Sequence, residues 1–346
     1  MATPAELDIT YKHFLDRSTL LFGESKTGKS FIMVDILYQL QPYVDQIIVF
    51  SPTDRQNNTY DNGMVPLPCI HYTITPEILS DVWQRQEALA NTYTEANNPV
   101  ILKSLFDKIQ SNHHQVGIIN TVNGKLRTYK DELKSATRDR SGLKVKIVEM
   151  ENECKKLISM IWKQSINENR GRLRKLNLTA AEHKALKYLN LNPRLVMIFD
   201  DCTEIIKKIQ RNPVVQKLFY QGRHVFITTI IACHTDKALD PELKKNAFVT
   251  IFTEETCARS YIDRPSNDMN KDAKRRAHTA CKGTFTPLAE FQKLAWVRDE
   301  KTYYRLTATK HDDFRFGCKQ IWDYCDRIKS DGMSLSATNK FIGDFT

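Results

Sequence analysis

Residues 19–40, T-L-L-F-G-E-S-K-T-G-K-S-F-I-M-V-D-I-L-Y-Q-L, leave this chain few ways to fold. Gly23 to Ser30 fits the pattern G-x-x-x-x-G-K-[ST] at every fixed position. The apolar run at 20–22 before it reads as a buried strand, and Phe31, Val34, Leu37 and Tyr38 after it have the spacing of a helix face. Strand, glycine-bearing loop and helix in that order predict a phosphate-binding loop. Gly23 and Gly28 let the backbone turn its N–H groups inward at the positive end of the helix that starts near Lys29. Lys29 adds a cation for the β- and γ-phosphates, and the Ser30 hydroxyl is placed for Mg²⁺. The expected nucleotide-binding set is therefore Gly23, Glu24, Ser25, Lys26, Thr27, Gly28, Lys29 and Ser30, and the expected ligand is a nucleoside triphosphate, ATP, with Mg²⁺.

The chain around the loop alternates strands and helices. Residues 46–50, 195–199, 225–231 and 248–252 are short apolar or β-branched runs of the kind a parallel sheet buries; 70–74 alternates like an edge strand, and Thr75-Pro76 opens a helix reaching about Ala90. Residues 294–297 and 303–306 read as a hairpin, 318–329 as an amphipathic helix, and the end beyond Gly332 as loose. The expected fold is α/β: a P-loop NTPase with a mainly parallel central sheet flanked by helices.

Between about 91 and 192 the α/β rhythm stops. Leu143, Ile147, Met150, Cys154, Leu157 and Ile161 follow a heptad spacing, residues 171–175 form a basic turn, and Thr179-Ala180-Ala181-Glu182 is a capping box opening another helix. This stretch also carries the charge. The chain has 51 Lys and Arg against 41 Asp and Glu, net +10, and residues 123–187 hold 17 against 8, net +9. A localised positive surface points to a polyanion, nucleic acid before membrane, because no apolar anchor accompanies it. The expected domains are 1–90 and 193–312 for the ATPase, 91–192 for a helical, basic insertion, and 313–346 for a helical tail.

With 8 scattered cysteines, no C-x-x-C pair, no apolar run long enough to span a membrane and no signal peptide, the chain reads as soluble and intracellular, without zinc or disulfides.

Asp200-Asp201 follow the strand at 195–199, at the end where parallel sheets place ligands. Asp200 is expected to hold Mg²⁺, directly or through water, and Asp201 to orient and deprotonate the attacking water. Arg223, just before the next strand, suits an arginine donated to a neighbouring subunit's γ-phosphate, with Arg259, Arg264 and Arg275 in reserve. His234, just beyond that strand, is placed to contact γ-phosphate and water together.

F-G-E-S-K-T-G-K-S, I-F-D-D-C, and Q-G-R-H-V-F-I-T-T-I-I-A-C-H together resemble the FtsK/HerA superfamily of DNA-pumping ATPases, and within it the genome-packaging ATPases of large nucleocytoplasmic DNA viruses. The resemblance implies that Lys29 and Ser30 bind phosphate and Mg²⁺, that Asp200 and Asp201 are the metal-binding and catalytic acids, and that Arg223 acts in trans. It departs at His234, where the family usually has glutamine, and hardly touches the basic insertion. It implies a homo-oligomeric ring of five or six subunits that pulls double-stranded DNA without reading its sequence, in the cytoplasm of an infected cell, with a capsid or portal protein as docking partner and the virion as a further location. Three other readings share the phosphate loop: an NTP-dependent switch or nucleic-acid-binding scaffold, a metabolite kinase, and a DNA-repair or conjugation motor.

Overall fold

The computed structural model describes residues 3–109, 113–135, 140–267, 269–285, 291–311 and 314–330. Eight strands form one sheet: β1 (Ser18–Phe22), β2 (Gln46–Phe50), β3 (Ile70–His71), β4 (Leu195–Asp200), β5 (Ile227–Cys233), β6 (Val249–Phe252), β7 (Gln292–Val297) and β8 (Thr302–Thr307). Their order is β3-β2-β4-β5-β1-β6-β7-β8. The first six in that order run parallel and the β7–β8 hairpin closes one edge antiparallel. The expected α/β fold is the observed one.

Strand periodicity explains the two layers. Leu20, Phe22, Ile48, Phe50, Met197, Phe199 and Ile231 face one core, shared with the helices Pro76–Ala96, Pro213–Gln221 and Glu255–Asp263; Leu21, Ile47, Val49, Val196, Ile198 and Ile230 face the other, shared with α1 (Lys29–Leu40). A strand buried on both faces reads as a continuous apolar run, which is how β2, β4 and β5 are legible in the sequence.

One sequence expectation is corrected here. The buried face of α1 is Ile32, Met33, Ile36, Leu37 and Leu40, whereas Phe31 is 55% and Tyr38 45% exposed. Residues 31–34 of the helix, F-I-M-V, are all apolar, so spacing alone did not select the side turned to the sheet.

By internal contacts the chain divides into two units, one of residues 1–90 with 192–346 and one of 91–191. The second unit has its own apolar centre, in which Leu102, Leu105 and Phe106 meet Ile166, Leu173, Ala185, Leu186 and Leu189. Helices His113–Ser135 and Arg140–Glu168 lie against each other, joined by a Lys130–Glu151 ion pair at 2.5 Å. The heptad seam on the second of them is buried at Ile147 but 42% exposed at Leu157. Thr179 and Glu182 form the capping box, the hydroxyl accepting from the Glu182 amide at 3.3 Å and the carboxylate accepting from the Thr179 amide at 2.8 Å. The tail helix is Lys319–Ser330, and the end beyond Gly332 lies outside the described residues. All eight cysteines are free, five of them buried. No helix among the described residues is long and apolar enough to cross a membrane.

Candidate nucleotide-binding site

The loop between β1 and α1 is held from below by the end of β6. A Cβ at Gly23 would lie 1.8 Å from Thr253 Oγ1 and 2.7 Å from Thr27 Oγ1, so only glycine fits. Those hydroxyls meet at 2.5 Å, and the Thr253 amide donates to Phe22 O at 2.9 Å. The Glu24 amide donates to Glu254 Oε1 at 2.9 Å, and Thr27 Oγ1 donates to Glu24 O at 2.8 Å. Gly28 caps α1 at φ +87°, in the left-handed region that favours glycine, and Lys26 adopts φ +66°. Lys29 Nζ reaches back over the loop to Gly23 O at 2.6 Å and Glu24 O at 2.8 Å. Ser25 is exposed and Ser30 half-buried at the first turn of the helix.

The two acids sit one strand beyond the neighbouring strand, because β5 lies between β1 and β4. Asp200 ends β4 opposite Ala232 of β5. Burial pushes its carboxyl up to about 6; Asp201 adds to the rise, while a hydrogen bond from Tyr60 and the charge of Lys29 oppose it. Burial likewise lowers Lys29, against the pull of Asp200 and Asp201. The loop cation and the strand acids therefore feel one another across the sheet edge.

Tyr60 was not legible as a site residue. Its side chain is fully buried and its hydroxyl donates to Asp200 Oδ2 at 3.2 Å, with Met33 Sδ at 3.3 Å. Asp54, also buried, fixes it by accepting from the Tyr60 amide at 3.0 Å and the Asp61 amide at 3.2 Å. One aromatic in a loop rich in Asn and Asp carries no periodic signal. Thr253 and Glu254 had a weak one, standing just past the carboxyl end of a strand.

Asp201 follows β4 at φ +55°, a conformation aspartate tolerates better than most residues. Its Oδ1 lies 2.7 Å from His234 Nε2, both side chains more than one-third exposed, so the residue just past β5 and the second acid form a pair. Cys257 Sγ donates to His234 O at 3.3 Å and to Glu254 Oε1 at 2.8 Å, linking that pair to the underside of the loop.

Lys29, Asp200, Asp201 and His234 thus gather at the carboxyl edge. Arg223 does not join them. It lies in the turn Gly222–Val225 before β5, exposed, and lines a hollow of about 330 Å³ with Arg17, Ser18 and Asp299 at the amino ends of the strands. Of the reserve arginines, Arg264 is held by both carboxylate oxygens of Asp236, at 2.6 and 2.9 Å, Arg259 by Glu255 and Arg275 by Asp272.

Next to Ser30 a cavity of about 450 Å³ opens between α1 and the segment after β8, with Phe31, Val34, Asn62, Met64, Thr309 and Phe314 on its walls. Phe31 and Val34, two of the four residues that the spacing named, line this cavity. Asp35 secures the facing segment by accepting from the Thr309 amide and from His311 Nε2, each at 2.8 Å, and Tyr38 stacks on His311 at 3.8 Å.

With that geometry established, comparison with known proteins supplies the kinship. The uncharacterised protein B354L of African swine fever virus, isolate Pig/Kenya/KEN-50/1950, is 31% identical over 360 residues, covering 98% of this chain and 96% of that protein. The chain belongs to the B354L family. The uncharacterised protein L437 of Acanthamoeba polyphaga mimivirus is 33% identical over 84 residues, 24% of this chain and 28% of that one. No protein-family model matches. Among solved structures, the chain is similar to the genome packaging NTPase B204 from Sulfolobus turreted icosahedral virus 2 with AMPPCP, at 14% identity, 85% and 99% coverage and a TM-score of 0.40. It is similar also to the plasmid coupling protein TrwB with GDPNP, at 11% identity, 92% coverage of each chain and a TM-score of 0.38. Similarity at that level carries no argument about this member of the B354L family.

Proposed function

We propose that the protein is an ATP-hydrolysing motor that translocates double-stranded DNA, most directly as a packager of viral DNA into a preformed capsid. The observation that carries the reading is the meeting of a complete phosphate loop with Lys29, Asp200 and the Asp201–His234 pair at one carboxyl edge of a parallel sheet. A hydrolase needs a base on the same sheet edge as the loop, and Asp201, paired with His234 there, suits repeated hydrolysis.

Among the described residues no cluster of three or more His, Cys, Asp or Glu side chains is built for a metal. Ser30 and Asp200, two oxygen donors beside a phosphate loop, nonetheless fit Mg²⁺, which keeps waters and phosphate oxygens in its shell and needs few protein ligands. Bound there, Mg²⁺ would neutralise charge on the β- and γ-phosphates. The chain's own residues do the rest. Loop amides and Lys29 seat the triphosphate, Tyr60 holds the Asp200 carboxylate in place, and Asp201 takes the proton of the attacking water while His234 orients it. The nucleoside extends into the cavity beside Phe31 and Phe314.

Arg223, exposed at the opposite end of the sheet with its side chain 3.3 Å from His224 Nε2, would serve a neighbour's nucleotide in a ring of five or six subunits. The net +9 of residues 123–187 gives a surface for DNA phosphates or for a capsid or portal protein. The setting follows from that role: the cytoplasm of an infected cell, and the virion if the motor stays with it. A triplex-displacement assay tests the reading: ATP-dependent release of a third strand from double-stranded DNA, lost in Asp201→Asn, is expected, and release without ATP hydrolysis would contradict it.

A further inference from the structure

Lys293 is the second residue of β7 and is 1% exposed. It shares a strand face with Ala295 and Val297, which pack in the same core as α1, so it points to the side of the sheet that α1 covers. There its Nζ comes within 3.1 Å of where a Cβ would stand on Gly28. The φ of Gly28 favours glycine, and a Cβ there would also press on this ammonium. Among the described residues Lys293 makes one hydrogen bond, to Phe291 O at 3.0 Å, and no carboxylate pairs with it. Burial lowers its pKa.

In the protein alone this is a poor place for a cation. It is desolvated with no counter-charge among the described residues, and it abuts the N-terminus of a 12-residue helix, whose dipole is positive there. A methionine would fill the same space without those costs. The arrangement becomes favourable once a highly charged anion lies on the other side of the loop. We propose that Lys293 is a second phosphate-responsive cation of the nucleotide site, a residue that raises affinity for the polyphosphate chain and favours triphosphate over diphosphate. This rests on the nucleotide-binding reading above. The residue lies on the strand that leads into the β7–β8 hairpin, an element to which the loop pattern gives no part.

The test compares the wild-type chain with Lys293→Met and Lys293→Gln, measuring unliganded melting temperature and calorimetric binding of MgATP, MgADP and inorganic tripolyphosphate. Attraction between a buried cation and the phosphates across the loop predicts affinity for MgATP and tripolyphosphate about 10- to 100-fold weaker in Lys293→Met, with a smaller loss for MgADP. The unliganded melting temperature should hold or rise, because a buried charge that no described carboxylate pairs has been replaced by an apolar group. A lower melting temperature, or failure to fold, with an unchanged MgATP to MgADP ratio wherever binding is measurable would make Lys293 a structural prop and overturn the inference. If the wild-type chain bound none of the three, the nucleotide reading itself would fall, an outcome distinct from a variant that binds like wild type.

Discussion

Gly23 shows how much one side chain can decide. A methyl group there collides with Thr253 and Thr27, whose hydroxyls hold each other at 2.5 Å, so Gly23→Ala must move either the loop or the end of β6. Overpacking of that kind costs about 1–3 kcal/mol. We expect denaturant unfolding to show a loss of that size, together with weakened MgATP binding in calorimetry. The Asp201–His234 contact supports a different prediction. His234→Ala removes the partner 2.7 Å from the proposed base while leaving the loop at 23–30 untouched, so kcat should fall about 10- to 100-fold with KM for ATP nearly constant. Steady-state kinetics on the wild type and variant read this directly; a raised KM with unchanged kcat would place His234 in binding instead.

At the scale of elements, the pattern of residues 19–40 made the phosphate loop legible, and continuous apolar runs did the same for β2, β4 and β5, because local sequence dictates both. The Thr179 capping box was legible for the same reason. Tyr60 and Lys293 were not, since each reaches the site through tertiary packing that no local spacing encodes. The side of α1 turned to the sheet was not legible, because apolar residues at 31–34 and 36–38 leave the helix with no single apolar stripe until the sheet and the cavity beside Ser30 are in place. Glu182 adds a partner the capping box did not announce. Burial works to raise its carboxyl, but hydrogen bonds from Lys108, the Thr179 amide and Ser104 outweigh that and hold it down at about 2. A depressed carboxylate stabilises the fold above its unfolded value near 4.5, and that contribution is lost as pH falls from there toward 2. Between those limits acid unfolding of the 91–191 unit should be shallower in Glu182→Gln than in wild type, as followed by hydrogen exchange. Asp236 offers a matching test in the other unit. It is buried and bound by Arg264, Lys244 and Asn267, so Asp236→Ala leaves cations without a partner and should cost about 3–5 kcal/mol in chemical denaturation.

For the whole molecule, kinship with B354L across 98% of the chain means that the loop-bearing unit and the basic unit occur together in a relative, not as an isolated graft. The charge is concentrated in one of those units and the chemistry in the other, the division of labour expected of a motor that grips a polyanion through its phosphates and hydrolyses ATP elsewhere. The most direct measurement is steady-state ATP hydrolysis with and without double-stranded DNA, run on wild type, Asp201→Asn and Arg223→Ala with the oligomer size of each recorded. The account predicts turnover stimulated by DNA, abolished in Asp201→Asn, and abolished in Arg223→Ala although that variant still assembles. Turnover indifferent to DNA and to Arg223 would contradict it.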